Sequence, residues 1–151
     1  MDTAKHQIEQ LFAAMVEHWN RHDTQAYTAL WTEDSDFVNV VGMHRSGRRE
    51  LKAELDYLFA DRFKNTRIRL LRHKVRLLAP GLALAHVWWE MSGDPGLPGV
   101  PMHAGYRRGV FTHVIQLTDR GWRFVASQNT DTLPIPDPLH AVEPALKDAR
   151  A

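Results

Sequence analysis

The chain contains no cysteine. That excludes disulfides, thiolate metal sites and a cysteine nucleophile, and it fits a reducing compartment. The opening residues, MDTAKHQIEQ, lack the apolar stretch of a signal peptide. No apolar run is long enough to span a bilayer. Formal net charge is only +1, so no overall field draws nucleic acid or an anionic membrane. No GxSxG elbow, phosphate-binding loop or dinucleotide fingerprint is present. The basic run RFKNTRIRLLRHKVR comes without a nucleic-acid-binding motif and reads as a solvated strand face. These absences leave a cytoplasmic protein with neither nucleic-acid nor membrane partners as the expectation.

What is present suits one soluble domain: 151 residues, 44% hydrophobic and 25% charged. Ile8, Leu11, Phe12, Met15 and Trp19 recur at helical spacing and predict a first helix with one buried stripe. Asp23 is a plausible N-cap for a second helix carrying Ala26, Tyr27, Leu30 and Trp31, followed by a turn over 32–35. Strand formers then fill 36–41. Ser46, Gly47 and Glu50 introduce a third helix, with Leu51, Leu55, Leu58, Phe59 and Phe63 on its buried side. Strands are predicted over 66–79, 82–92, 106–118 and 122–132, and a Pro/Gly-rich loop covers 93–105. Residues 133–151 form a proline-punctuated tail outside the domain of residues 1–132. Helices first and strands last predict an α+β domain with helices on one face of an antiparallel sheet. In the first long strand the apolar phase changes between Leu70 and Leu71, which predicts a bulge there.

Three segments carry a family resemblance: DFVNVVG (36–42), SGRRE (46–50) and GWRFVASQNTD (121–131). With the element order, they make residues 8–132 resemble the nuclear transport factor 2-like superfamily. This superfamily includes SnoaL-like and ketosteroid isomerase-like proteins, and the SgcJ/EcaC-type group is the nearest look within it. The resemblance implies a cone-shaped, cystatin-like fold in which three N-terminal helices pack on a strongly curved antiparallel sheet. It also implies a cavity for a small molecule between helices and sheet, and a homodimer.

Against that expectation, candidate site residues can be weighed. Asn39 interrupts a run of strand formers, and a buried amide without a partner costs roughly 1–3 kcal/mol. It either meets a ligand in the cavity or bonds a neighbouring backbone group. Tyr27 and Trp31 share a helix face and are candidate cavity walls, or ordinary core. In LALAHVWWEMS, strand alternation sets His86, Trp88 and Glu90 on one face, with Ala85, Val87, Trp89 and Met91 on the other. If the first face lines the cavity, Glu90 and His86 are suitable groups for proton transfer and Trp88 is a wall. If not, they are exposed. In the last hairpin, simple pairing puts His113 and Gln128 towards the cavity and Asn129 away from it. His44, in a basic turn with Arg45, Arg48 and Arg49, either gates the cavity or is solvated. His18 and His22 have a metal-compatible spacing but no third ligand at a defined position, so no metal is expected.

The expectation is a cofactor-independent enzyme doing isomerase- or cyclase-like proton transfer on an apolar, oxygen-bearing small molecule. Glu90 and His86 would be its acid–base pair, and Tyr27, Trp31, Asn39, His44, Trp88, His113 and Gln128 its ligand-binding residues. The alternatives are a non-catalytic ligand-binding module and a structural dimer whose cavity is vestigial.

Overall fold

The computed structural model describes residues 2–99 and 105–142. The predicted loop and tail are therefore described only in part, with residues 100–104 and 143–151 outside. Three helices, α1 (Asp2–Asn20), α2 (Thr24–Thr28) and α3 (Gly47–Ala60), lie on a six-stranded sheet. Its strands are β1 (Trp31–Val38), β2 (His44–Ser46), β3 (Arg67–Ala79), β4 (Leu82–Ser92), β5 (Tyr106–Thr118) and β6 (Gly121–Asp131). The spatial order is β2-β1-β6-β5-β4-β3. All neighbours pair antiparallel except β1 and β6, which run parallel. This is the expected α+β architecture, helices on one face of a curved, mostly antiparallel sheet.

Each predicted residue of the α1 stripe is buried, from Ile8 to Trp19. The end of α1 is tied to the start of β3 by side chains. Asn20 donates to the Ile68 carbonyl at 2.9 Å and accepts from its N–H at 2.7 Å, while Trp19 Nε1 donates to Thr66 Oγ1. The two Asn20 bonds satisfy backbone groups of Ile68 that a strand end would otherwise leave open. Helix α2 begins as predicted, with the Asp23 carboxylate accepting from Ala26 N–H. It is shorter than predicted. The Leu30 carbonyl accepts from Phe124 N–H, and the chain joins the sheet at Trp31. Trp31 and the expected turn over 32–35 therefore belong to β1, because the sheet edge offers backbone bonds that a further helical turn would forgo. Helix α3 starts after Ser46, whose N–H is accepted by the Glu50 carboxylate at 2.6 Å.

Two irregularities decide which side chains face the helices. In β3 the register steps from Leu70 opposite Trp89 to Arg72 opposite Trp88, skipping Leu71, so the predicted bulge is present. In β6 it steps from Phe124 opposite Ile115 to Ala126 opposite Val114, skipping Val125. The second bulge was not predicted. It turns Ser127, Asn129 and Asp131 to the side that Phe124 occupies before it. The described part of the tail is largely exposed and carries a single 3-10 turn, Pro138–Ala141. No helix among the described residues is long and apolar enough to cross a membrane.

Candidate functional site

Between α3, the end of β1 and the inner face of β4–β6 lies a cavity of about 650 Å³, within the range of small-molecule sites. Leu51, Leu55 and Leu58 of α3 face Phe37, Trp89, Met91 and Phe111 of the sheet across it. Trp19 and Tyr27 close its inner end. Tyr27 is 2% exposed. Burial raises its hydroxyl pKa far above the ordinary tyrosine value, so it stays protonated and can donate a hydrogen bond. The rim is also apolar: Val41, Met43, Tyr57 and Leu97 line it and are solvent-exposed.

Two polar groups interrupt this surface. At the β1–β2 turn, Asn39 Oδ1 accepts from the N–H groups of Val41 and Met43, and its Nδ2 donates to Glu54 Oε1 at 2.8 Å. Arg45 donates to the same Glu54 oxygen at 3.1 Å. Here the amide is consumed by folding a turn and holding α3.

The second group is a chain of ion pairs at the opposite side. Arg62 forks onto Asp94 with two bonds of 3.0 Å, and Arg107 donates to Asp94 at 2.6 Å. Arg107 then reaches both oxygens of Asp131, at 2.8 and 3.1 Å. Burial would raise the Asp94 pKa. Its bonds from Arg62, Gly96 N–H and Arg107 outweigh that and hold it below the ordinary carboxylate value. Next to Asp131 on the same face stands Asn129, whose Oδ1 accepts from Trp89 Nε1 at 2.8 Å. The cavity therefore combines apolar walls with donors and carboxylates at fixed positions, the parts needed to orient an oxygen and to move a proton.

The sequence profile of the SnoaL-like domain matches residues 8–130. The chain belongs to the SnoaL-like family. No curated protein matches it. Solved structures of the cystatin-like, NTF2-like fold superpose on it closely. An uncharacterised protein from Caulobacter vibrioides shares 26% identity at a TM-score of 0.81, with 96% of this chain and 99% of that one covered. A candidate dehydratase of the NTF2-like family from Streptomyces avermitilis shares 20% at 0.72, covering 87% and 98%. A candidate scytalone dehydratase from Novosphingobium aromaticivorans shares 15% at 0.74, covering 88% and 89%. At such identities the last two likenesses are of fold.

In this SnoaL-like domain, the structure brings Tyr27 and Asn39 to the cavity and leaves the other expected residues elsewhere. Trp31 and His113 are buried behind the cavity wall. Trp31 Nε1 donates to Ser127 Oγ at 2.9 Å, and Ser127 Oγ lies 2.7 Å from His113 Nδ1. Ser127 Oγ thus links the two rings, and His113 Nε2 is buried without a hydrogen-bond partner among the described residues. Burial, with a smaller contribution from His86, pushes the His113 pKa down to about 3.

The β4 assignment is corrected. Ala83, Ala85, Val87, Trp89 and Met91 face the helices, and His86, Trp88 and Glu90 lie on the outer side of the sheet. There Arg72 stacks on the Trp88 ring at 3.7 Å, and His86 Nδ1 lies 3.0 Å from Thr112 Oγ1. Glu90 is buried there among its hydrogen-bond partners. Tyr106 Oη donates to it at 2.8 Å, Arg69 at 2.8 Å and Arg108 at 3.0 Å. The Tyr106 bond, opposed by burial and joined by the two arginines, holds its pKa below the ordinary value, the reverse of what a general base in an apolar cavity needs. Gln128 is likewise outward and exposed, because the Val125 bulge exchanges its face with that of Asn129. His44 sits in the exposed β2 edge, 2.7 Å from Asp36, and does not line the cavity.

Two arginines of that turn, Arg45 and Arg48, are half-buried, and Arg49 is exposed. Arg45 lines the cavity, and Arg48 donates twice to the Trp31 carbonyl. His22, one of the two spaced histidines, has its Nε2 3.1 Å from the Thr66 carbonyl. The residues that sequence reasoning missed are Arg62, Asp94, Arg107, Asn129 and Asp131. The polarity of the two faces of β4, apolar Ala85, Val87 and Met91 against His86 and Glu90, was the signal that could have turned β4 the right way.

Proposed function

We propose that this SnoaL-like domain binds an apolar, oxygen-bearing small molecule in the cavity and catalyses cofactor-independent proton transfer on it. The observation that carries the reading is one cavity lined largely by hydrocarbon, with the Asp131 carboxylate and the protonated Tyr27 also on its lining. In the proposed step, Asp131 takes a proton from a carbon next to a carbonyl. The C–H electron pair moves into an enolate, a cavity donor stabilises the enolate oxygen, and the proton returns to the carbon framework. The likeness to two candidate dehydratases of the same fold supports chemistry of this class.

The test uses α-tetralone, a small enolisable ketone, in deuterium oxide, following loss of its α-proton signal by NMR. The protein is expected to accelerate exchange, and Asp131→Asn to reduce that acceleration by a factor of about 10²–10⁴. Unchanged exchange in the variant would remove Asp131 from the mechanism.

A second reading, a binding module without catalysis, is favoured by one observation. Each carboxylate lining the cavity is already engaged: Asp131 by Arg107, Glu54 by Arg45 and Asn39, and Glu50 by Ser46 N–H. Tetralone binding without any accelerated exchange would select it. We further propose that the chain is of the SgcJ/EcaC type, on the segment GWRFVASQNTD, and that two copies pair. Light scattering across a dilution series tests the pairing.

A further inference from the structure

Trp89 stands on β4 and Asn129 on β6, with β5 between them. The indole crosses that strand over Gly109. A Cβ on Gly109 would lie 2.2 Å from Trp89 Cζ2 and 2.6 Å from the Thr130 carbonyl, so only glycine leaves the path open. At the end of this reach, Trp89 Nε1 donates to Asn129 Oδ1 at 2.8 Å. An indole nitrogen donates and never accepts, so the amide oxygen is the end that must face it. The Asn129 NH₂ group is thereby turned the other way. Asn129 lines the cavity, and among the described residues its Nδ2 has no hydrogen-bond partner.

The surrounding groups narrow what that amide can take. Both Asp131 oxygens already accept from Arg107. Arg107 Nε, in the same corner, is buried and has no hydrogen-bond partner among the described residues. The corner therefore has N–H groups in surplus. Its charges do not favour an anion: Arg45, Arg62 and Arg107 on the cavity lining are balanced by Glu50, Glu54 and Asp131, and Asp94 is held behind them.

We infer that Asn129, oriented by Trp89 across Gly109, is the specificity-determining residue of the cavity and selects ligands with a neutral, carbonyl-type acceptor oxygen over their hydrocarbon and carboxylate counterparts. This rests on the reading that the cavity binds an apolar, oxygen-bearing molecule, and it names the oxygen.

Calorimetric titration with α-tetralone, tetralin and tetralin-1-carboxylate tests it. The three share a bicyclic body and differ in the polar group. The wild-type protein is expected to prefer α-tetralone to tetralin by roughly three- to tenfold, the effect of one neutral hydrogen bond, and to bind the carboxylate weakest. Asn129→Asp keeps an acceptor for the Trp89 indole and removes the donor. It should abolish the preference for the ketone while tetralin affinity stays. Trp89→Phe keeps most of the ring, frees the amide to turn and should reduce the same preference, which covers the case where Asn129→Asp fails to fold. The Asn129 side-chain NH₂ resonances should move on addition of α-tetralone and not of tetralin. Equal binding of ketone and hydrocarbon by the wild type, a preference that survives in Asn129→Asp, or one undiminished in Trp89→Phe, overturns this inference alone. Binding of none of the three overturns it together with the reading beneath it.

Discussion

Arg107 joins Asp94 to Asp131, reaching the first at 2.6 Å and the second at 2.8 Å. The loop after β4 and the end of β6 are thus held by one guanidinium. Asp94→Ala would leave the buried Arg107 without one of its two carboxylates. Removing one partner of a buried pair costs about 3–5 kcal/mol, and a urea titration should show a loss of that size. The Asp94 pKa is lowered in the folded protein. Its contribution is therefore present above the unfolded carboxylate value and is lost as pH falls towards the folded value. Substitution should remove that part of the acid sensitivity.

His113 predicts a different window. Burial pushes its folded pKa down to about 3, against 6.5 for an unperturbed histidine. Between those values the unfolded chain holds a proton that the folded chain refuses, so stability falls as pH drops below about 6.5. The slope from one such group is about 1.4 kcal/mol per pH unit. His113→Phe should flatten the dependence of unfolding free energy on pH between 6 and 4 by about that slope. Direct NMR titration should find no protonation of His113 near pH 6.

Asn39 lines the cavity, yet its side chain is spent on Val41, Met43 and Glu54. Asn39→Ala should therefore appear first as lost stability, of about 1–3 kcal/mol, measured by thermal unfolding. A stability unchanged from wild type would show that the turn does not depend on the amide.

Glu90→Gln should leave α-tetralone affinity and exchange rate unchanged, because the carboxylate lies on the outer face among Tyr106, Arg69 and Arg108. A collapse of either would place Glu90 in the site after all.

The fold was legible wherever burial imposes a period. The α1 stripe from Ile8 to Trp19 and the long strands follow from apolar spacing. The Leu71 bulge betrays itself because the apolar residues of β3 change phase around it. The Val125 bulge leaves no such mark. Beyond it come Ser127, Asn129 and Asp131 on one side and Gln128 and Thr130 on the other, polar on both, so hydrophobicity carries no phase to read. Asn129 and Asp131 of the cavity lie on that segment, which is why Gln128 was expected inside and Asn129 outside. Tyr27 was recoverable because it lies on an amphipathic helix. The ion-pair chain was not, since Arg62, Asp94, Arg107 and Asp131 are distant in sequence and only the folded sheet joins them.

The unpaired position of Val125 also defines how this chain could diverge. Deleting that single residue would restore strict alternation along β6. Ser127, Asn129 and Asp131 would stay inward, because Phe124 already pairs with Ile115 and Ala126 with Val114. Pairing Val125 in register, rather than removing it, is what would turn Gln128 and Thr130 inward and Asn129 and Asp131 to solvent. That register change would keep the helices and strand order while presenting the ligand with a different chemical interior, so the pairing of this one position is a route from one selectivity to another.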